Sequence, residues 1–221
     1  TTDSNGSGDD ENIEVAVTTE FTAAGEAIKF VGGKIDLAND ANLTITSGNG
    51  PVEVSGVAGV SDETVTINAG TSSVKIGDVG DASHAEIHNL TISGDGIITL
   101  TGNASGTGDV NQSNGILKAN GSILKDINLS GGTLQGSGTV SSVTSTGGTI
   151  APGNSIGTLT VAGNYNQGAS STLVIEVDTS GNTDRLIING SANLNGTLRV
   201  SPSNGTYSSQ TFNFLTAGSI S

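Results

Sequence analysis

Two short motifs in this chain carry residues that do chemistry at recognisable spacings. Gly153-Asn154-Ser155-Ile156-Gly157 fits the GxSxG pattern of a serine nucleophile elbow. That chemistry needs a strand-to-helix turn that exposes the hydroxyl, and a histidine to take its proton. No helical period follows Ser155, and both histidines, His84 and His88, precede it. The motif therefore reads as a glycine turn. His84-Ala85-Glu86-Ile87-His88 sets two imidazoles four residues apart with a carboxylate between them. A zinc-protease helix needs its glutamate directly after the first histidine, and Ala85 holds that place here. On a strand, positions 84, 86 and 88 share one face, which makes at most a weak surface metal site. The preferred reading is a solvated strand face.

The remaining carboxylates give no metal or catalytic pattern. Asp9-Asp10-Glu11, Asp62-Glu63 and Asp78 to Asp81 are acidic clusters. They match neither the ligand spacing of an EF-hand loop nor the glycine-aspartate nonapeptide of repeat toxins. Asp95, between Gly94 and Gly96, reads as a turn residue. Asn42, Asn89 and Asn103 open Asn-x-Ser/Thr sequons that read as turn chemistry. The paired carboxylates of a glycosidase meet in space, so the sequence leaves them open. β-Helical lyases and hydrolases gather Asp, Arg and Lys on one face. The only arginines here, Arg185 and Arg199, lie close to the C-terminus. No catalytic, cofactor-binding or metal-ligating residue is assigned. The chain is expected not to be an enzyme, with a β-helical glycan-active lyase or hydrolase as the alternative.

The elements that would position any site are short and numerous. Ile13 to Val17, Ala27 to Val31, Lys34 to Leu37, Asn42 to Thr46 and their successors through Leu100 alternate apolar with polar residues. This is the pattern of strands with one buried face. Gly, Asn, Asp and Ser clusters separate them. Helical periodicity is absent, and glycine and β-branched residues are dense, so almost no α-helix is expected. The tripeptide Leu/Val-Thr-Ile/Val recurs at 43–45, 65–67, 90–92 and 159–161. Spacings of 22 and 25 residues separate the first three copies. Three short strands plus turns take roughly 20–25 residues, one rung of a parallel β-helix, giving about 9 or 10 rungs. A β-sandwich is the competing fold. Its hairpins would use the Asn-Gly pairs, most of which lie in the second half. The segment from Asn164 has longer strands and four of the six aromatics, Tyr165, Tyr207, Phe212 and Phe214. It is expected to have the better-filled core.

Composition agrees with a narrow, stacked interior. The 221 residues include 34 Gly, 4 Phe, 2 Tyr and no Trp, so Leu, Ile, Val and Ala must fill the core. There is no cysteine, which excludes disulfides and thiolate metal sites. The net charge of −14 lies wholly in the first half: residues 1–110 hold 17 acidic and 3 basic side chains, residues 111–221 hold 4 of each. Such acidity argues against nucleic acid and anionic membrane as partners. No apolar run is long enough for a membrane helix. The opening TTDSNGSGDDEN has neither a basic start nor an apolar run, so no signal peptide is read there, and an exported chain would be a mature or trimmed fragment.

The glycine-rich stretch from Gly131 to Gly163 repeats short apolar pairs, each directly after a glycine: Thr133-Leu134, Thr139-Val140, Thr149-Ile150 and Thr158-Leu159. The run GGTLQGSGTV, then GGTIAPGNSIGTLTVAGNYNQGASSTLVIEVD, then TDRLIINGSANLNGTLRVSPSNGTY and FNFLTAG covers about 90 residues. It resembles the C-terminal part of the passenger domain of autotransporters, the type V secretion proteins of Gram-negative bacteria. The block from Ala151 to Leu159 followed by Gly163-Asn164-Tyr165 carries the resemblance most specifically.

That resemblance implies a right-handed parallel β-helix with a hairpin-containing C-terminal cap, displayed at the cell surface or released outside. It implies an outer-membrane β-barrel translocator as partner, and a C-terminal segment that seeds folding, an autochaperone. Adhesion to a host-cell protein or glycan, virulence and self-association are the accompanying expectations. The expected organisation is a flexible acidic lead-in over 1–12, acidic irregular rungs over 13–130, and autochaperone-like rungs and cap over 131–221.

Overall fold

Alternating residues bounded by glycine turns fold into short strands that must stack to bury their apolar face. The computed structural model describes residues 13–80 and 85–221, and has twenty-three strands and no helix among them. The acidic lead-in read over 1–12 lies outside the described residues. Register resolves the strands into three parallel stacks. In the first, Ile13, Ile35, Val57, Val79, Ala104, Ile123, Val140, Val161, Ile188 and Ala217 lie one over another. The second aligns Thr19, Leu43, Val65, Leu90, Val110, Ile127, Val143, Tyr165 and Ala192. The third aligns Ile28, Val52, Val74, Ile98, Leu117, Leu134, Ile150, Leu173 and Leu198. The chain visits first, second and third stack in turn, then re-enters the first one rung further on.

This is a parallel β-helix, and its order matches the right-handed form that parallel crossovers adopt. The ten aligned positions of the first stack are ten rungs, a spine of about 45 Å at the usual inter-strand spacing. The tripeptides at 43–45, 65–67 and 90–92 lie in register in the second stack, as their spacing predicts. The copy at 159–161 belongs to the first stack instead, because the same alternation serves any face. The β-sandwich is overturned, since among the described residues every strand pair runs parallel; the antiparallel contacts there are the isolated bridges Gly136–Gly153 and Val177–Thr183. Described Asn-Gly pairs turn corners rather than closing hairpins. Asn49-Gly50, Asn114-Gly115 and Asn195-Gly196 all sit where the chain passes from second to third stack.

One corner shows why glycine recurs. Gly115, Gly132 and Gly148 precede the aligned residues Ile116, Thr133 and Thr149, and all have positive φ, at 66°, 75° and 79°. A Cβ at Gly132 would lie 2.5 Å from the Gly115 carbonyl oxygen and 2.6 Å from the Asn114 carbonyl carbon. The same corner is tied from inside by buried amides. Gln112 Nε2 donates to Gly115 O (3.2 Å) and to Thr133 O of the next rung (3.0 Å). Gln167 repeats the arrangement, donating to Ser171 O (3.3 Å) and Thr197 O (3.1 Å). Most of the remaining interior is one aliphatic column, with Ile35, Leu43, Ile67, Leu90, Leu134 and Leu186 fully buried.

The C-terminal segment has the better-filled core only in part. Tyr165 is the largest fully buried side chain, but Tyr207, Phe212 and Phe214 are only partly buried. Leu198, Val200 and Ile220 are 48%, 51% and 60% exposed. They belong to the last two rungs, which no further strand of this chain covers.

Two substitutions test this packing. Gly132→Ala forces a strained φ and a backbone clash, and should cost about 2 kcal/mol or more by denaturant titration. Tyr165→Phe should be neutral or stabilising in the same assay, because the buried Tyr165 Oη has no hydrogen-bond partner and its removal leaves no partner stranded.

Candidate functional site

The block Ala151 to Gly157 forms a doubled-back loop between third and first stacks. Gly153 and Gly136 exchange both backbone hydrogen bonds, at 3.0 and 2.7 Å. Gly153 has φ 88°, and a Cβ there would lie 2.1 Å from Ser155 O, so the loop closes only on glycine. Asn154 Nδ2 reaches back to Asn120 Oδ1 at 2.8 Å. Ser155 is exposed at the tip with no base in hydrogen-bond reach among the described residues. His88 lies three rungs away, about 14 Å along the axis.

A buried carboxylate anchors the loop. Asp184, 1% exposed, accepts Gly157 N at 2.9 Å through Oδ1 and Glu176 N at 2.7 Å through Oδ2. Burial pushes its pKa up, the two amide donors oppose the shift, and the Glu176 charge adds to it. Asp184 closes a hairpin turn whose far end is organised by Asp178, which accepts from Ser180 N, Asn182 N and Asn182 Nδ2. Those bonds, the Asn182 side chain first, hold the Asp178 carboxyl below its usual range. Two shallow clefts flank the loop and share Ile156. One, of about 610 Å³, lies against Asp178, Asn182 and Arg185; the other, of about 330 Å³, lies against Glu176, Ser201 and Ser203. Arg199 lies apart, in register with Val174 on the third stack.

The histidine motif is only partly described. His84 lies outside the described residues, and so does Asp81 of the acidic cluster. Ile87 is fully buried, which turns His88 outward. There His88 Nδ1 is 3.1 Å from Thr107 Oγ1 and 3.9 Å from Asp62 Oδ1. Among the described residues no group of three or more His, Cys, Asp or Glu side chains is placed to hold a metal ion. Asp95 sits in its turn and accepts Asn114 Nδ2 from the next rung at 2.6 Å.

The sequon asparagines have a function in the fold that the sequence did not reveal. At the corner entering the second stack, a side-chain oxygen of one rung accepts a backbone N–H of the next. Asn42 Oδ1 takes Thr64 N (2.7 Å), Asn89 Oδ1 takes Asp109 N (3.2 Å) and Asp126 Oδ1 takes Ser142 N (3.0 Å). Asn164 Oδ1 continues the series at Ser191 N (2.9 Å). The Ser141 hydroxyl, then Ser142 N, hold the Asp126 carboxyl below its ordinary range. Asn103 is different, its own N–H donating to Asp78 Oδ1.

Two further charges are fully inside. Lys125 Nζ donates to Ile87 O (2.5 Å), His88 O (3.0 Å) and Gly108 O (3.2 Å). Glu63 accepts Val60 N at 2.9 Å, in space left by Gly59, where a Cβ would lie 2.5 Å from Glu63 Oε2. Glu63 belongs to the Asp62-Glu63 cluster, and nothing in the sequence marks either residue as buried.

No protein-family model matches the chain, and no curated protein matches its sequence.

Asp184→Asn sets an NH₂ group against one of the two amide donors, and should cost about 1–3 kcal/mol. The pH dependence has a definite sign. A raised folded pKa gives more stability on the acid side, lost as pH rises through that value. Chemical denaturation across pH should show the deficit of the Asp184→Asn variant largest in acid and narrowing as pH rises.

Proposed function

We propose that this chain is a surface-exposed autotransporter passenger fragment, a non-enzymatic β-helical stalk associated with adhesion and virulence. Its C-terminal part, from Gly131, seeds folding during outer-membrane secretion. The observation that supports this reading most is the parallel stacking of ten rungs, with the autotransporter-like block occupying the later ones. A stack of this kind gives length and stiffness along one axis. The partner during secretion is the protein's own β-barrel translocator; outside, a host-cell surface protein or glycan is contacted, and copies of the stalk self-associate.

Three features favour that assignment. The acidic first half and absence of cysteine suit an exported, soluble surface. Ser155 sits in a glycine-closed turn without an adjacent base, which favours a structural role for its motif. The hairpin at Val177–Thr183 and the bond from Glu176 N to Asp184 give the C-terminal rungs a set of contacts local in sequence. Local contacts form early, as a folding seed and cap require.

Truncation tests the seed. A chain ending at residue 130 leaves its sixth rung uncovered and should lose protease resistance and the cooperative unfolding transition. Residues 131–221 alone should retain a folded core by the same digestion. Unchanged resistance of the 1–130 chain would overturn the folding-seed role.

A further inference from the structure

The outer face of the second stack carries one polar side chain per rung at the same position. Thr91, Asn111, Asn128 and Thr144 are in register on four consecutive rungs. Between them and the neighbouring corner runs a groove of about 330 Å³ that reaches inward as far as Gln112. No residue lining it is charged or aromatic.

The polar atoms of this groove are held in place. Asn128 Nδ2 donates to Asp109 Oδ2 (2.9 Å) and to Asn111 Oδ1 (3.1 Å), which fixes both amides. Among the described residues, Asn111 Nδ2 and Asn128 Oδ1 have no protein partner, nor do the Thr91 and Thr144 hydroxyls. Gln112 is 1% exposed, and its Nε2 faces carbonyl oxygens of Asn114, Gly115 and Thr133. Its orientation is therefore set, and its Oε1 is the buried atom left without a donor. That atom lies on the buried side of the strand, so the groove itself is met through Thr91, Asn111, Asn128 and Thr144.

We propose that this groove binds an extended, neutral β-(1→4)-linked hexose chain lying along the helix axis. The side chains present both donors and acceptors, the pattern that sugar hydroxyls match. The neutral lining gives no attraction to polyanions. Two rungs span about 9.6 Å, close to the two-sugar repeat of an extended β-(1→4) chain, whose successive units are turned over, so the sugar hydroxyls run in step with the rungs. The proposal deepens the adhesive reading above and rests on it for where the ligand is met.

The test uses the whole chain in solution, with cellohexaose and mannohexaose as probes and hexagalacturonate as the charged control. Calorimetric titration should detect binding of at least one neutral hexamer, with hexagalacturonate much weaker. Thr91→Val with Thr144→Val removes two hydroxyls while keeping strand-favouring shapes, and should weaken binding about 25-fold. Thr99→Val on the third stack should leave it unchanged. Circular dichroism checks that each variant is folded. Absence of binding by both neutral hexamers at millimolar concentration would overturn the glycan proposal, as would equal binding of hexagalacturonate or an undiminished double variant. The truncation result stands or falls separately, so failure here leaves the stalk reading intact.

Discussion

The whole molecule depends on backbone hydrogen bonds made between rungs, not within them. A strand of three or four residues has no partner in its own turn of the helix. Its N–H and C=O groups are satisfied only by the rungs on either side, and its apolar face is covered only by the column those rungs continue. Register is therefore unforgiving. A slip of one residue would turn Leu134 outward and Gln135 inward, and the same inversion would follow in the rungs beyond. The structure guards register at its corners. The glycine column at Gly115, Gly132 and Gly148 admits only one close approach of backbones. The amides of Gln112 and Gln167 tie the same corner from inside. The series from Asn42 to Asn164 ties another corner from outside.

These ties explain how strands of very different rung length share one stack. The rungs of the first stack are 22 residues apart from Ile13 through Val79, shorten to 17 between Ile123 and Val140, and lengthen to 29 between Ile188 and Ala217. Length changes enter where no tie is needed. The hairpin at Val177–Thr183 adds residues beyond the end of a strand, and the Asp184 carboxylate closes it against the loop at Gly157. Variation in length is thus taken up by excursions, while most aligned inward positions stay aliphatic.

The fold was legible because period-2 alternation and rung spacing are both local signals. Leu43, Val65 and Leu90 align as the repeated tripeptide predicts. The stack in which Leu159 lies was not legible, since three alternating residues carry no label for the face they join. The Asn-Gly pairs misled for a related reason: a dipeptide that permits positive φ serves a solenoid corner as well as a hairpin. Buried polar groups were the least visible. Lys125, Glu63 and Asp184 sit among solvated-looking neighbours, and only the three-dimensional path shows which carbonyls and amides they meet. The groove at Gln112 was hidden likewise, because its members are spaced one rung apart and come from four separate strands.

Lys125 carries a mechanical consequence. Its ammonium is bonded to carbonyls of the fourth and fifth rungs while its own backbone belongs to the sixth. Peeling rungs from either end breaks one ladder at a time, each exposed to the load in turn. At Lys125 the peeling front meets a side chain that spans three layers, so loss of the sixth rung also strips a donor from carbonyls of the fourth and fifth.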